Sequence, residues 1–294
     1  MTSVAVVAHR GKSMGGGLDE LRSELAHAGV EPLWLEVPKS RKAPKQVAKA
    51  VAAGADLVFV WGGDGMVQRC ADALAGEPVT LAILPAGTAN LLATNLGIPK
   101  DIAGAVSVGL HGRRQKLDLG VINGEHFGVM AGAGFDALMI GDADRGLKDK
   151  AGKLAYVWTG ARNVGAPRVR ARVRVDGSSF FKGRLSCVLI GNVGTITGGL
   201  RPFEGAAPDD GVLEVGVVTA KGAVQWSRVL ARLAAGNAAK SPFTRQTSGR
   251  KIDVKFEKKV RYELDGGARG QTRRLKVRVR PDAIEVCLPD EGNG

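Results

Sequence analysis

Two short runs in the first third of the chain bring an acid and several glycines together in a way that suits phosphate chemistry. Gly62-Gly63-Asp64-Gly65 follows the apolar run 56–61, and Pro85-Ala86-Gly87-Thr88-Ala89-Asn90 follows the apolar run 79–84. Glycine leaves the backbone bare, so successive N–H groups can close on phosphate oxygens, and a helix that follows turns its positive end to the same spot. An aspartate among such amides does not itself attract an anion. Beside phosphates it serves through Mg2+ or as a base toward an acceptor hydroxyl; otherwise it caps the turn. Thr88 can donate to a phosphate, and Asn90 can touch a nucleotide or cap a helix. An earlier glycine-bearing turn follows the apolar run 4–8, with Gly11 and Lys12 at its start and Gly15-Gly16-Gly17 beyond, and adds a cation to face phosphate charge.

Such turns need a frame. Strand-sized apolar runs at 4–8, 32–37, 56–61 and 79–84 alternate with helical spacing at 18–28, at 43–53 and from the Gly62 turn to about residue 75. Buried strands separated by helices predict a doubly wound parallel sheet covered on both faces, with its chemistry beyond the carboxyl ends of the strands. The glycine turns all lie at such ends. After about residue 116 the pattern changes. Asn123-Gly124 sits between strand-like runs 117–122 and 126–130, a hairpin signal. Residues 168–175 alternate strictly, with Arg168, Arg170, Arg172 and Arg174 against Val169, Ala171, Val173 and Val175. That is the period of a half-buried antiparallel strand, and 252–256 and 275–279 repeat it. Helical patterns stand near 148–163 and 223–235. The expected architecture is an α/β nucleotide-binding domain over 1–117 followed by a β-sandwich-like domain over 118–280, with 281–294 packing back on the first.

At this point the chain resembles a known family. Val58-Phe59-Val60-Trp61-Gly62-Gly63-Asp64-Gly65 and Leu84-Pro85-Ala86-Gly87-Thr88-Ala89-Asn90, running on to Leu96-Gly97-Ile98-Pro99, are similar to the signature of the diacylglycerol kinase catalytic-domain family, which includes sphingosine kinases and soluble bacterial lipid kinases. Gly132-Ala133-Gly134-Phe135-Asp136-Ala137, Gly191-Asn192 and the run 208–215 extend the likeness over most of the chain. The resemblance implies that Gly62, Gly63, Asp64, Gly65, Met66, Val67, Gln68 and Thr88 contact ATP, and that Asp210 is the side-chain ligand of a secondary Mg2+. It implies an ATP-dependent transfer of phosphate to a diacylglycerol-like lipid. Three departures stand out. Met66 and Arg69 replace a Thr and a Glu, Ala8-His9 replaces an Asn-Pro pair, and the late Asp-Gly-Glu, whose Glu is taken as proton acceptor in bacterial members, is Asp265-Gly266-Gly267. Phosphoryl transfer relies mainly on positioning and charge neutralisation, so Asp64 or Asp265 is expected to accept the proton, with Lys12 or Arg69 facing phosphate charge.

Charge and composition bound the partners. Of the net +13, residues 1–117 supply 13 Lys+Arg against 10 Asp+Glu, and 118–294 supply 29 against 19. The second part therefore presents the basic surface, and the nine Lys/Arg between 145 and 174 suit an anionic membrane. Nucleic acid is not the expected partner, because aromatic residues are only 5% and no recognition element stands out. Three scattered cysteines are expected as core thiols, and four histidines make no metal-ligand spacing. No apolar run approaches a membrane span, and the opening residues carry no leader pattern, so a cytoplasmic protein reversibly attached to membranes is expected. The run 132–137 also fits a GxGxxA dinucleotide pattern, but the acidic strand end that pattern requires is replaced by a basic, helical stretch near 153–158. Two rival readings remain: a soluble small-molecule kinase of the NAD-kinase type, and a lipid- or nucleotide-binding protein without catalysis.

Overall fold

The structure, a computed structural model, describes residues 2–134, 168–196 and 199–290. The chain divides into two compact units, Met1–Leu119 with Pro281–Gly294, and Gly120–Arg280.

In the first unit, strands β1 (Val4–His9), β2 (Leu33–Val37), β3 (Leu57–Gly62) and β4 (Thr80–Pro85) form a parallel sheet in the order β2-β1-β3-β4. β3 and β4 are buried at every position, as near-continuous apolar runs require when helices cover both faces. Helices α1 (Gly17–His27), α2 (Ala43–Ala52) and α3 (Asp64–Leu74) fall where the helical spacing predicts them. Two further helices, α4 (Leu91–Asn95) and α5 (Ile102–His111), follow β4. The Leu96-Gly97-Ile98-Pro99 run is the stop of α4. Gly97 takes φ +69°, and the amides of Ile98 and Gly97 return to the carbonyls of Ala93 and Thr94, a Schellman closure. The sheet's order reverses at β1, where the chain goes first to β2 and then to β3. In sheets of this kind the ligand crevice lies at that switch.

The second unit is antiparallel. Strand β5 (Arg113–Ile122) enters it from the first unit and turns at Asn123-Gly124 into β6 (Glu125–Phe127), both turn residues having positive φ as a type I′ hairpin demands. The main ladder runs β12-β11-β10-β7-β13-β14, from strands β7 (Met130–Ala133), β10 (Cys187–Gly191), β11 (Leu213–Val218), β12 (Thr244–Gly249), β13 (Lys251–Leu264) and β14 (Gly267–Leu288). β8 (Val169–Val175) pairs with β13 and with β9 (Ser178–Leu185). In β8 the valines and Ala171 are buried and the arginines between them exposed, the alternation read from sequence. One core gathers Ala131, Ala133, Val188, Ile190, Val215, Val217, Val254 and Leu264. On the other face, helix α6 (Gly222–Ala234) buries Trp226 and Val229 against Cys187 and Val218, so Trp226 is a core residue.

Cys70, Cys187 and Cys287 are all free and buried, the two later thiols pushed up by burial to about 12 and about 11. No helix among the described residues is long and apolar enough to cross a membrane. The helical pattern near 148–163, with Trp158 and the cations at 145, 148, 150, 153 and 162, lies outside the described residues, as do Phe135-Asp136-Ala137.

Candidate functional site

Three loops leave the carboxyl ends of β1, β3 and β4, and a chain of specific contacts locks them together. Gly62 pairs with Pro85 at the last rung of β3 and β4, so the two glycine turns start side by side, and the Ala86 amide donates to the Gly62 carbonyl at 3.0 Å. The corners then touch through backbone. A methyl group placed on Gly87 would lie 2.4 Å from Cα of Gly63, and one on Gly63 would lie 3.0 Å from Cα of Gly87. Only two glycines can meet at that distance.

Asp64 joins the corners electrostatically. It opens α3, whose first turn has no side-chain cap of its own. Its carboxylate reaches instead to the next loop, where Oδ2 accepts from the Asn90 amide at 3.0 Å and Oδ1 from the Leu91 amide, so it caps α4. Burial pushes the Asp64 carboxyl above its ordinary range, against the pull of the Leu91 amide, its own amide, the Asn90 amide and the Lys12 charge. Asn90 sits in the left-handed region (φ 48°) and staples its own loop: Oδ1 accepts from the Gly87 amide at 2.9 Å, and Nδ2 donates to the carbonyls of Pro85 at 3.0 Å and Gly87 at 2.9 Å. Asn90, expected at a nucleotide, is thus the brace of the Gly87 turn. Thr88 and Gly65 stand exposed at the tips of their turns.

The loop after β1 is fixed by two devices. The Gly11 amide donates to Nδ1 of His9 at 3.1 Å, and the buried indole of Trp61, on β3, donates to the Lys12 carbonyl at 3.1 Å. Burial, and after it the Lys12 charge, hold the His9 imidazole below its ordinary value, so it is neutral at pH 7. Gly11 and Lys12 are exposed, and the Lys12 ammonium is near enough to act on Asp64. Met66, Val67 and Gln68 take the inward side of α3, at 2%, 5% and 4% exposure. Met66 packs where a Cβ on Gly62 would stand. What these three can offer a nucleotide is therefore backbone at the helix start. The arrangement suits an anion: rigid bare corners, a helix N-terminus, and one lysine.

In the second unit the segments singled out from sequence converge on β7. Gly191 pairs with Met130, Leu264 pairs with Ala131, and Glu263 pairs with Gly132. Asp265 and Gly266 form the two-residue turn between β13 and β14, both with positive φ. The buried Asp265 carboxylate accepts from the amides of Gly128, Val129 and Met130, each at 2.9 Å, while Nδ2 of Asn192 donates to the Gly128 carbonyl at 3.0 Å. Expected as a proton acceptor, Asp265 instead serves as an anchor that holds the entry to β7. At Gly267 the guanidinium of Arg269 occupies the place of a side chain. Its Nη1 lies 2.7 Å from where a Cβ would be and donates to the Gly267 carbonyl, and its Nε is paired with Glu125 at 2.8 Å.

Glu263 is the residue that sequence reasoning missed. It is 9% exposed, and its Oε2 is buried without a hydrogen-bond partner. Alternation inward through Val260, Tyr262 and Leu264 assigns Glu263 to an outer face; at this position that face is buried.

The family resemblance implies Mg2+, and two acids bear on whether it fits. Mg2+ commonly takes one or two carboxylates and fills its octahedron with phosphate oxygens and water. Asp64, with Lys12 beside it, fits as a single carboxylate of that kind. Oδ1 of Asp210 accepts from the Val212 amide at 3.0 Å, and burial together with repulsion from Asp210 raises Glu214, a tension that a divalent ion would relieve. Among the described residues no group of three metal-ligating side chains forms.

Comparison with known proteins gives the following. Residues 8–122 match the model of the diacylglycerol kinase catalytic domain, and residues 129–288 match the YegS C-terminal NAD kinase beta sandwich-like domain. A Pseudomonas aeruginosa protein named "Probable lipid kinase YegS-like" is 33% identical over 97% of this chain and 94% of its own length. The Bacillus subtilis protein named "Diacylglycerol kinase" is 29% identical over 72% of this chain and 71% of its own. Among solved structures, a diacylglycerol kinase from Bacillus anthracis superposes with a TM-score of 0.79 at 22% identity, covering 97% of this chain and 96% of that one. An Archaeoglobus fulgidus NAD kinase in complex with ATP shares the fold more distantly, with a TM-score of 0.56 at 11% identity over 98% of this chain and 94% of that one.

Proposed function

Since the chain belongs to the diacylglycerol kinase catalytic-domain family and is a kinase of the lipid kinase type, we propose that it transfers the γ-phosphate of ATP to a hydroxyl of a diacylglycerol-like lipid at an anionic membrane surface. The observation that carries the reading is the pair of glycine corners in backbone contact, bridged by the Asp64 carboxylate. Their bare amides and the start of α3 hold the phosphates, and Lys12 faces the charge of the triphosphate. The contact with Gly63 keeps Gly87 from drifting, and Asn90 keeps its loop closed, so the donor is oriented by parts that need not rearrange. Mg2+, held by Asp64 and the phosphates, would supply neutralisation of the charge spread over the transferred group. The acceptor hydroxyl gives up its proton to solvent, its oxygen bonds to the γ-phosphorus as the bond to the leaving phosphate oxygen breaks, and ADP departs.

The basic sheet of the second unit supports a membrane surface as the place of action. Lys182, Arg172, Lys255 and Arg274 stand in register across β9, β8, β13 and β14, all exposed. Like charges directly opposite one another destabilise a sheet, although Asp253 offsets Arg274 through contacts of 2.7 and 2.8 Å. Anionic headgroups relieve the rest, at ~1 kcal/mol for each basic group near the surface.

The test is to incubate the protein with labelled ATP and total lipid extract and to identify the lipid that takes up label. Asp64→Asn is expected to lower incorporation by about 10²-fold or more. Label appearing in NAD without lipid would support the rival kinase, and no transfer at all would leave only the binding protein. Co-sedimentation with anionic vesicles, abolished by salt, is the expected companion result.

A further inference from the structure

We propose that His9 and Trp61 are positioning residues for the nucleotide: between them they hold the backbone of the loop after β1 so that the Lys12 ammonium meets the triphosphate. The inference rests on the reading of the glycine corners as an ATP site, and every residue in it belongs to the first unit.

Arg10, Gly11 and Lys12 are exposed, and a glycine in a surface loop ordinarily leaves the backbone free to move. Here that freedom is removed bond by bond. The Arg10 amide donates to the Val37 carbonyl at 3.0 Å, the Gly11 amide to Nδ1 of His9 at 3.1 Å, and the Lys12 amide to the His9 carbonyl at 3.2 Å. The Lys12 carbonyl accepts from the Trp61 indole at 3.1 Å, and that indole is wholly buried. Both backbone groups of an exposed lysine are therefore satisfied within the protein. The imidazole lies against Gly11, its Cε1 3.4 Å from where a Cβ on that glycine would be, and Cβ of His9 is 3.8 Å from the matching point on Gly62. The same residue thus ties the loop to the β3 corner.

The fold alone does not demand these bonds. Water satisfies exposed amides and carbonyls as well, and β1 is held by its own ladders to β2 and β3. What the braces fix is a cation. Arg10 is turned to β2, its Nε 2.9 Å from Oε2 of Glu36. The Lys12 ammonium has no ion-pair partner among the described residues, and its charge acts on both Asp64 and His9. Fixing the root of a flexible lysine stem lowers the entropy lost when the ammonium takes a phosphate oxygen. His9 does this as a neutral imidazole: Nδ1 accepts from Gly11, so the ring proton is on Nε2.

Calorimetric titration of the whole chain with Mg·ATP tests the proposal. His9→Ala and Trp61→Phe each remove one brace and should weaken ATP binding about tenfold, while circular dichroism stays that of wild type. His9→Asn should restore most of the affinity, because an asparagine Oδ1 takes the amide two residues on. In a Lys12→Met background both losses should shrink to about twofold or less, since nothing is left to position. A folded His9→Ala with wild-type affinity overturns the proposal. So do losses that persist in full without Lys12, and a folded His9→Asn as weak as His9→Ala. Each of these leaves the nucleotide reading standing, and the His9 variants decide alone if Trp61→Phe does not fold. A wild-type chain that takes up no ATP removes the nucleotide reading itself, and this inference with it.

Discussion

Asp64 and Asp265 sit at the same kind of place, a tight turn at the end of a strand, and each spends its carboxylate on backbone amides of another segment. They differ in how completely. Asp265 is buried and takes three amides from consecutive residues, so its turn and the entry to β7 form one fixed piece. Asp64 is half-buried, takes the amides of Asn90 and Leu91, and stands near a lysine at the mouth of a glycine-lined corner. The first is an anchor, and the second is an anchor with a face left toward a ligand. An aspartate in a glycine turn thus says little by itself. What separates the two is how many donors already surround the carboxylate and whether a cation looks at it.

The largest effect should come from removing the deeper anchor. Asp265→Ala leaves three amides without their acceptor and puts alanine in the left-handed region, and should lower unfolding free energy by about 5 kcal/mol, against about 1–2 kcal/mol for Asp64→Ala. Urea unfolding of both variants measures the contrast, and equal losses would erase the distinction. Next comes the acid beside the deep anchor. Glu263 has an ordinary value of 4.5 and is held at about 8 in the folded chain, so the folded state binds the extra proton between those values. Stability should therefore fall as pH rises from about 4.5 to about 8, by on the order of 3 kcal/mol, and Glu263→Gln should flatten that slope. Denaturant midpoints taken at half-unit pH steps would show it. The smallest effect is at the shallow corner. Gly87→Ala drives a methyl into the Gly63 backbone and should cost about 1–3 kcal/mol; ATP binding, read by calorimetry, should weaken about tenfold or more. Unchanged ATP affinity would mean that the corners need not touch.

Much of this could be read before any fold was in view, and the gaps have physical causes. The parallel strands are legible because burial on both faces leaves unbroken apolar runs such as Leu57–Gly62, and β8 because one face alternates with the other. Helix α5 escaped notice because Gly104 and Gly109 lower its helical signal. Gly109 is there for packing, since a Cβ would fall 2.1 Å from a Phe59 ring carbon. Asp64 was visible as a candidate because its glycines surround it in sequence. The anchoring role of Asp265 was not, since its three partners lie some 135 residues earlier and are backbone, which no residue type announces. Glu263 was hidden for the opposite reason. Its neighbours in sequence put it on an open face, and only the pairing of β13 with β7, far away in sequence, shows it buried against Gly132.

One feature of the chain's path bears on how it is made. The last stretch of β14 returns to the first unit, where Glu285 and Val286 pair with Thr80 and Leu81, the Gly76 amide reaches the Ala283 carbonyl, and Val286, Cys287 and Leu288 are buried. A ribosome makes those residues only after the whole of the second unit. Until then β4 has a naked edge, ready to pair with any passing strand, although everything else its unit needs was synthesised more than 160 residues before. The nascent protein must therefore wait with its nucleotide half unclosed. Losing residues 283–288 would do harm out of proportion to their number, leaving a sticky, incomplete sheet where the intact unit has a sealed one.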